Sequence, residues 1–88
     1  MSRKRSDIEI SADILRVAKG GARKSHIVYR ANLNFDIVMR YLDQLRGCGL
    51  ITGPSGDSRL FRTTERGLKF IDSFESFRDY MKQSDLYS

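Results

Sequence analysis

Residues 34–49, NFDIVMRYLDQLRGCG, encode a helix with its own start, inner face and stop. Asn34 is a residue type whose side chain accepts a backbone N–H of a helix's first turn. Val38, Leu42 and Leu45 recur at spacings of four and three and therefore share one face, with Tyr41 beside them. Asp36, Arg40, Asp43 and Gly47 fall on the opposite face. Gly49 supplies the left-handed residue that ends many helices. A short one-sided helix is not stable alone in water and must bury its apolar strip against neighbours. What flanks it therefore decides the fold.

Upstream, residues 24–31 also read as a helix, with Ile27 and Ala31 on its buried face and Ser25 and Tyr29 on the other. Asn32 suits the turn between the two helices because Asn tolerates left-handed backbone. Leu33 is positioned to plug the gap between them. Downstream, residues 50–52 form a short strand, GPSGDS at 53–58 a turn, and RLFRT at 59–63 the return strand. Alternation puts Phe61 and Thr63 on one side of that strand and Leu60 and Arg62 on the other. A lone hairpin must lean on the helices, and Phe61 is the residue expected to pin it. Ahead of all this, Ser6 and Glu9 fit a capping box that opens a first helix. It is expected to run to about Lys19 and stop at Gly20–Gly21. Ile10, Ile14, Val17 and Ala18 form one face of it, widened by Ile8 and Leu15. The order helix, helix, tight turn, helix, hairpin is the plan of a winged helix-turn-helix. The expected class is mainly α (α+β), with a three-helix core plus a two-stranded wing. In that plan the second helix of the pair is offered to the DNA major groove.

Thr64 and Glu65 open a last helix that is expected to reach about Gln83. Phe70, Phe74, Phe77 and Met81 repeat at four, three and four, flanked by Ile71 and Tyr80, which is roughly two heptads of a coiled-coil seam. Phe70 and Phe74 are within reach of the domain itself. Phe77, Tyr80 and Met81 lie beyond it, and contiguous aromatics are rarely left in water. The seam is therefore expected to pair with its twin in a homodimer, the competing arrangement being a fold-back onto the first helix. The chain divides into a basic arm at 1–5, a winged helix-turn-helix domain at 6–66 and a dimerisation helix at 67–88.

Charge points to the partner. Residues 1–62 hold 12 Lys/Arg against 6 Asp/Glu, and residues 63–88 hold 4 against 5. The positive excess sits on the head, which favours a polyanion. Arg3, Lys4 and Arg5 either lie along a nucleic acid or merely solvate the terminus. Catalytic constellations are missing from the pattern. His26 is the sole histidine and Cys48 the sole cysteine, so neither an internal disulfide nor a four-ligand zinc site is encoded. Cys48 is expected to pack half-buried beside Gly49. Neither G-x-G-x-x-G nor G-x-x-x-x-G-K-[ST] occurs. No enzyme, cofactor, metal site or small-molecule ligand is expected. No apolar run approaches the roughly 20 residues of a membrane span, and the N-terminus lacks a signal-peptide core. The expected setting is cytoplasmic, with nucleoid association.

On DNA, phosphate contacts supply affinity and base-edge contacts supply specificity. The candidate phosphate contacts are Lys24, Ser25, Tyr29 and Arg30 on the second helix and Arg59 and Arg62 on the wing. The candidate base readers are Asp36 and Arg40, with Met39 and Asp43 nearby. Arg40 stands out because a guanidinium bonds two acceptors of guanine at once. Its structural role would be an ion pair with Asp36 or Asp43. Two aspartates on a reading face repel phosphate. They either select cytosine or mark a face that docks a protein, and so the alternative function is a winged-helix interaction module in a larger assembly.

The motifs also carry a family resemblance. Ala12-Asp13-Ile14-Leu15 in the first helix, the Y-x-A-N-L turn at 29–33, Y-L-x-x-L at 41–45 and T-E-x-G at 64–67 together cover residues 6–75. In these the chain resembles the archaeal ArnR-like winged helix family of small, basic, chromatin-associated proteins. The resemblance implies a DNA-binding regulator or nucleoid-type protein, paired through antiparallel C-terminal helices. The chain departs from that pattern in its short tail and short wing, so a weaker dimer, or one assisted by the first helix, is the implied variant.

Overall fold

A computed structural model describes residues 5–56 and 58–85, with side chains described as far as Lys82. Helix α1, Asp7–Val17, starts at the capping box. The Ser6 hydroxyl accepts from Glu9 N at 3.1 Å, and Ser6 N donates to the Glu9 carboxylate at 2.9 Å. Strand β1, Ala22–Arg23, leads directly into helix α2, Lys24–Ala31, and helix α3 is Phe35–Gly47. Strands β2, Ile51–Thr52, and β3, Leu60–Thr63, form the wing, and helix α4 is Glu65–Asp85.

The helix ends follow from local chemistry. Asn32 closes α2 in the left-handed region, at φ 57° and ψ 49°. Leu33 N then bonds back to the Val28 carbonyl and Asn32 N to that of Tyr29. Asn34 Oδ1 accepts from Ile37 N at 2.9 Å and starts α3. At the far end Gly49 takes φ +75°, Leu50 N reaches the Leu45 carbonyl and Gly49 N that of Arg46. This paired closure satisfies carbonyls the helix would otherwise leave open. The exposed carbonyls of α1 are met from across the chain. Thr63 N donates to the Ala18 carbonyl at 3.0 Å, and the buried Thr63 hydroxyl donates to that of Leu15 at 2.6 Å.

The sheet holds three strands rather than the two expected, in the order β1-β3-β2, all antiparallel. Ala22 lies opposite Phe61 and Ile51 opposite Thr63. The extra strand is two residues long, too short for alternation to reveal it. It forms because the outer edge of β3 offers unpaired backbone groups to the segment entering α2. Phe61 and Thr63 do face inward together and Arg62 outward.

Ile14, Leu15, Ile27, Val38, Leu42, Ile51 and Ile71 fill the core, with Phe61 seated among them. Ile71 brings the first half of α4 onto α1, and Arg16 Nε bonds the Glu75 carboxylate at 3.0 Å to fasten the two helices. The Phe74 ring is half-buried between the guanidinium groups of Arg16 and Arg78, at 5.7 and 5.5 Å. Farther along, Phe77, Tyr80 and Met81 are 63%, 71% and 47% exposed, although α4 does fold along α1 and Phe77 and Met81 border a groove shared with Ser6, Ile8 and Glu9.

Gly67, in the first turn of α4, is fixed by close approach. A Cβ there would sit 2.2 Å from the Leu50 carbonyl oxygen and 2.6 Å from Thr63 Cγ2. Thr64 completes the junction by accepting from Gly67 N and donating to the Gly49 carbonyl. Cys48 is exposed, not half-buried as expected, because it follows the last inward residue of α3, Leu45, and points away from the core. Of the basic arm, residues 1–4 lie outside the described residues. Arg5 is held in the fold, bonding Asp13 at 2.9 Å and the Ala31 carbonyl at 2.8 Å. No described helix is long and apolar enough to cross a membrane.

Candidate nucleic-acid interface

The inward strip of α3 fixes which of its side chains can meet a partner. With Val38, Leu42 and Leu45 buried, Asp36, Arg40 and Asp43 are exposed on the opposite side. A third set, Phe35, Met39 and Arg46, runs along the edge of α3 that faces β3 and the start of α2. These residues, with Arg23, Lys24, Ser25, Pro54, Arg59 and Phe61, line an open groove of about 570 Å³. Among the described residues that line it, four are cations and none is acidic.

Local contacts hold the groove in shape. The Lys24 ammonium sits 5.0 Å from the centroid of the Phe35 ring, which clamps the start of α2 to that of α3. Phe35 is nonetheless 51% exposed. Arg46 spans the other end, donating to the Asp43 carboxylate at 3.0 Å and to the Gly53 carbonyl at 3.0 Å. The ion pair expected of Arg40 thus belongs to Arg46, and Arg40 forms no salt bridge among the described residues. Asp43 has its charge partly answered, whereas Asp36 forms no salt bridge among the described residues.

Of the ten residues nominated from sequence, Lys24, Ser25, Met39 and Arg59 meet in the groove. Tyr29 and Arg30 are exposed on α2 outside it, and Asp36, Arg40 and Asp43 occupy the outer side of α3. Arg62 lies on the outer side of the sheet and donates to the Gly20 carbonyl at 3.2 Å. Sequence reasoning missed Arg23, Phe35, Arg46 and Pro54. Arg46 was within reach of it, lying seven residues after Met39 and so on the same helix edge. Arg23 depends on β1, which carried no readable signal.

Tyr41 fastens the back of α3. Its hydroxyl donates to the Asp7 carboxylate at the start of α1. That bond, then partial burial and the Asp7 charge, raise the Tyr41 phenol above its ordinary range, while the nearby Arg40 charge opposes the rise. Among the described residues no cluster of three or more His, Cys, Asp or Glu is placed to hold a metal ion.

A three-helix core with a wing, an exposed helix face and a basic groove beside it defines a winged helix-turn-helix protein. The chain belongs to the winged helix-turn-helix family, whose match spans residues 4–82. No curated protein matches the sequence. Among solved structures it is similar to Sso10a-2, a DNA-binding protein from Sulfolobus solfataricus, with a TM-score of 0.81 and 28% identity over 94% of this chain and 86% of that one. It also shares its fold with MepR, a transcription regulator of the multidrug efflux pump MepA of Staphylococcus aureus. There the TM-score is 0.74 and the identity 20%, over 89% of this chain and 62% of that one.

Proposed function

We propose that this protein binds duplex DNA as a homodimer, with α3 in the major groove, and acts as a transcription regulator or a nucleoid-type protein. The observation that carries the reading is the convergence of Arg23, Lys24, Arg46 and Arg59 beside an exposed helix edge. The diameter of a helix matches the roughly 12 Å width of the major groove, and cations to either side then meet the phosphates that border it. Lys24, Ser25, Tyr29, Arg30, Arg59 and Arg62 act on phosphates. Arg40, with Asp36, Met39 and Asp43, faces base edges. The partial pairing of Asp43 with Arg46 lowers the repulsion that two bare aspartates would impose.

The dimer forms through α4, with Phe70 and Phe74 leading into the exposed Phe77, Tyr80 and Met81, paired antiparallel. The four sequence motifs and the likeness to a Sulfolobus DNA-binding protein support an archaeal, ArnR-like member acting on the nucleoid in the cytoplasm. No step of this activity calls for a catalyst or cofactor. A second reading, a module that docks another protein, draws on Asp36, exposed on the outer face of α3 without an ion pair among the described residues.

Titration of the protein against a duplex at rising salt tests the proposal. The four cations assigned to phosphates, Lys24, Arg30, Arg59 and Arg62, correspond to a log–log slope of about −3.6. An affinity that stays flat with salt would refute it. A stoichiometric protein partner without DNA retention would favour the second reading. Selection of bound duplexes from a random pool then divides the remainder, since an enriched palindrome means a regulator and no enrichment means a packaging protein.

A further inference from the structure

Two large apolar side chains stand in a place the charge argument does not explain. Phe35 and Met39 lie one turn apart on the α3 edge and line the basic groove. Phe35 is 51% exposed although it is the first residue of a helix whose core positions are otherwise filled. Its ring is held by the Lys24 ammonium at 5.0 Å rather than by the core. Arg23, Lys24 and Arg59 stand across the groove from this apolar strip, and Arg46 continues the α3 edge beyond Met39.

The major groove of an A·T-rich duplex carries the complementary pattern. It has phosphates along both borders and, between them, the C5-methyl groups of thymine, the one apolar feature on any base edge there. We infer that Phe35, backed by Met39, is a specificity-determining contact that reads thymine C5-methyl groups, while the flanking cations hold the strip against them. This rests on the DNA-binding reading above and adds to it a preference that Arg40 cannot supply. A guanidinium on this helix selects guanine, whereas an aromatic edge selects the methyl whatever the pairing direction. Lys24 then has two tasks, since the cation that meets a phosphate also fixes the ring.

The test uses chemically matched duplexes of about two helical turns at fixed moderate salt. One has alternating A·T pairs, the second has deoxyuridine in place of every thymidine, and a third pair compares cytosine with 5-methylcytosine in G·C sequence. The parent protein is expected to bind the thymine duplex more tightly than the uracil duplex by about fourfold per contacted methyl, the ratio for about 0.8 kcal/mol of buried hydrocarbon. It is expected to gain affinity on cytosine methylation as well, because that methyl occupies the same groove position. Phe35→Ala should bind the thymine and uracil duplexes equally and keep the salt slope. Leu68→Ala, an exposed apolar change outside the strip, should keep the discrimination. Circular dichroism of Phe35→Ala checks that α3 is intact. Salt-sensitive binding with no thymine–uracil difference in the parent overturns this inference and leaves the DNA reading standing. A discrimination that survives in folded Phe35→Ala also overturns it. No binding to any duplex overturns both.

Discussion

Arg46 donates to Asp43 across one turn of α3 at 3.0 Å, and with its other terminal nitrogen to the Gly53 carbonyl at the root of the wing. One side chain therefore sets the local charge of the reading helix and its distance from the hairpin. In Asp43→Asn the exposed anion disappears and Arg46 becomes free to meet phosphate. Duplex affinity is expected to rise several-fold at low salt, with the salt slope steepening by up to about 0.9. Fluorescence anisotropy over a salt series reads both quantities. Weaker binding in Asp43→Asn would show instead that what Asp43 gains at a base edge outweighs its repulsion of phosphate.

Arg40 and Arg59 occupy different parts of the surface and should fail differently. Arg59 lines the basic groove, so Arg59→Ala is expected to weaken binding to every duplex alike and flatten the salt slope by about 0.9. Arg40 is exposed on the outer face of α3, without an ion pair among the described residues. Arg40→Ala should cost about 1–3 kcal/mol on preferred sites and far less elsewhere. Competition assays with selected and scrambled duplexes separate the two. Parallel losses in both variants would remove Arg40 as a reader.

The exposed end of α4 predicts an oligomer. Phe77 is 63% exposed and Tyr80 71%, at the end of α4 beside the start of α1. Sedimentation equilibrium of the parent is expected to give a dimer, and Phe77→Glu to give a monomer with α-helical content retained in its head. Two monomeric samples would show that the strip has some other use.

Gly67 should tolerate no side chain. A Cβ there would meet the Leu50 carbonyl oxygen at 2.2 Å, and that is backbone, which cannot swing aside. Gly67→Ala is expected to lose about 1–3 kcal/mol or more in chemical denaturation, since α4 must lift from the turn after α3. The nearby Gly20→Ala, where a Cβ meets nothing within 4 Å, serves as the mild control.

Tyr41 supplies a pH dependence with a definite sign. Its hydrogen bond to Asp7 holds the phenol neutral and raises its ionisation above the ordinary value of 10.0. The stability from this bond is fully present below the unfolded value and is lost as pH climbs through the raised folded one. NMR titration of the Tyr41 ring should show late ionisation, moving back down in Asp7→Asn. No difference between parent and Asp7→Asn would mean that the bond does not persist in solution.

What could be read from the sequence was what is encoded within a few residues. Ser6 with Glu9, Asn32, Asn34 and Gly49 each dictate a helix end by their own chemistry, and all act in the structure as their types suggest. Phe61 and Thr63 followed from alternation alone. What could not be read depends on distant backbone. Strand β1 exists only because β3 returns beside it, and with β1 comes Arg23 in the groove. The Arg46 bond to Gly53 needs the wing in position first. Arg5 counted as free charge in the sequence, yet it is bound to Asp13 and the end of α2, contacts 8 and 26 residues away.

The Arg16–Glu75 bond fixes α4 to α1 at about the middle of the long helix, and Phe77 and Met81 continue beside the start of α1, so the helix is a beam held to its own head. In a pair of such molecules the beam becomes a ruler. Each seven residues added to it would carry the two heads about 10.5 Å farther apart, roughly three base-pair steps. In the proposed dimer, a single ion pair on the back of the domain, far from any base, would thereby help to set which spacing of sites along a duplex two joined heads grip together.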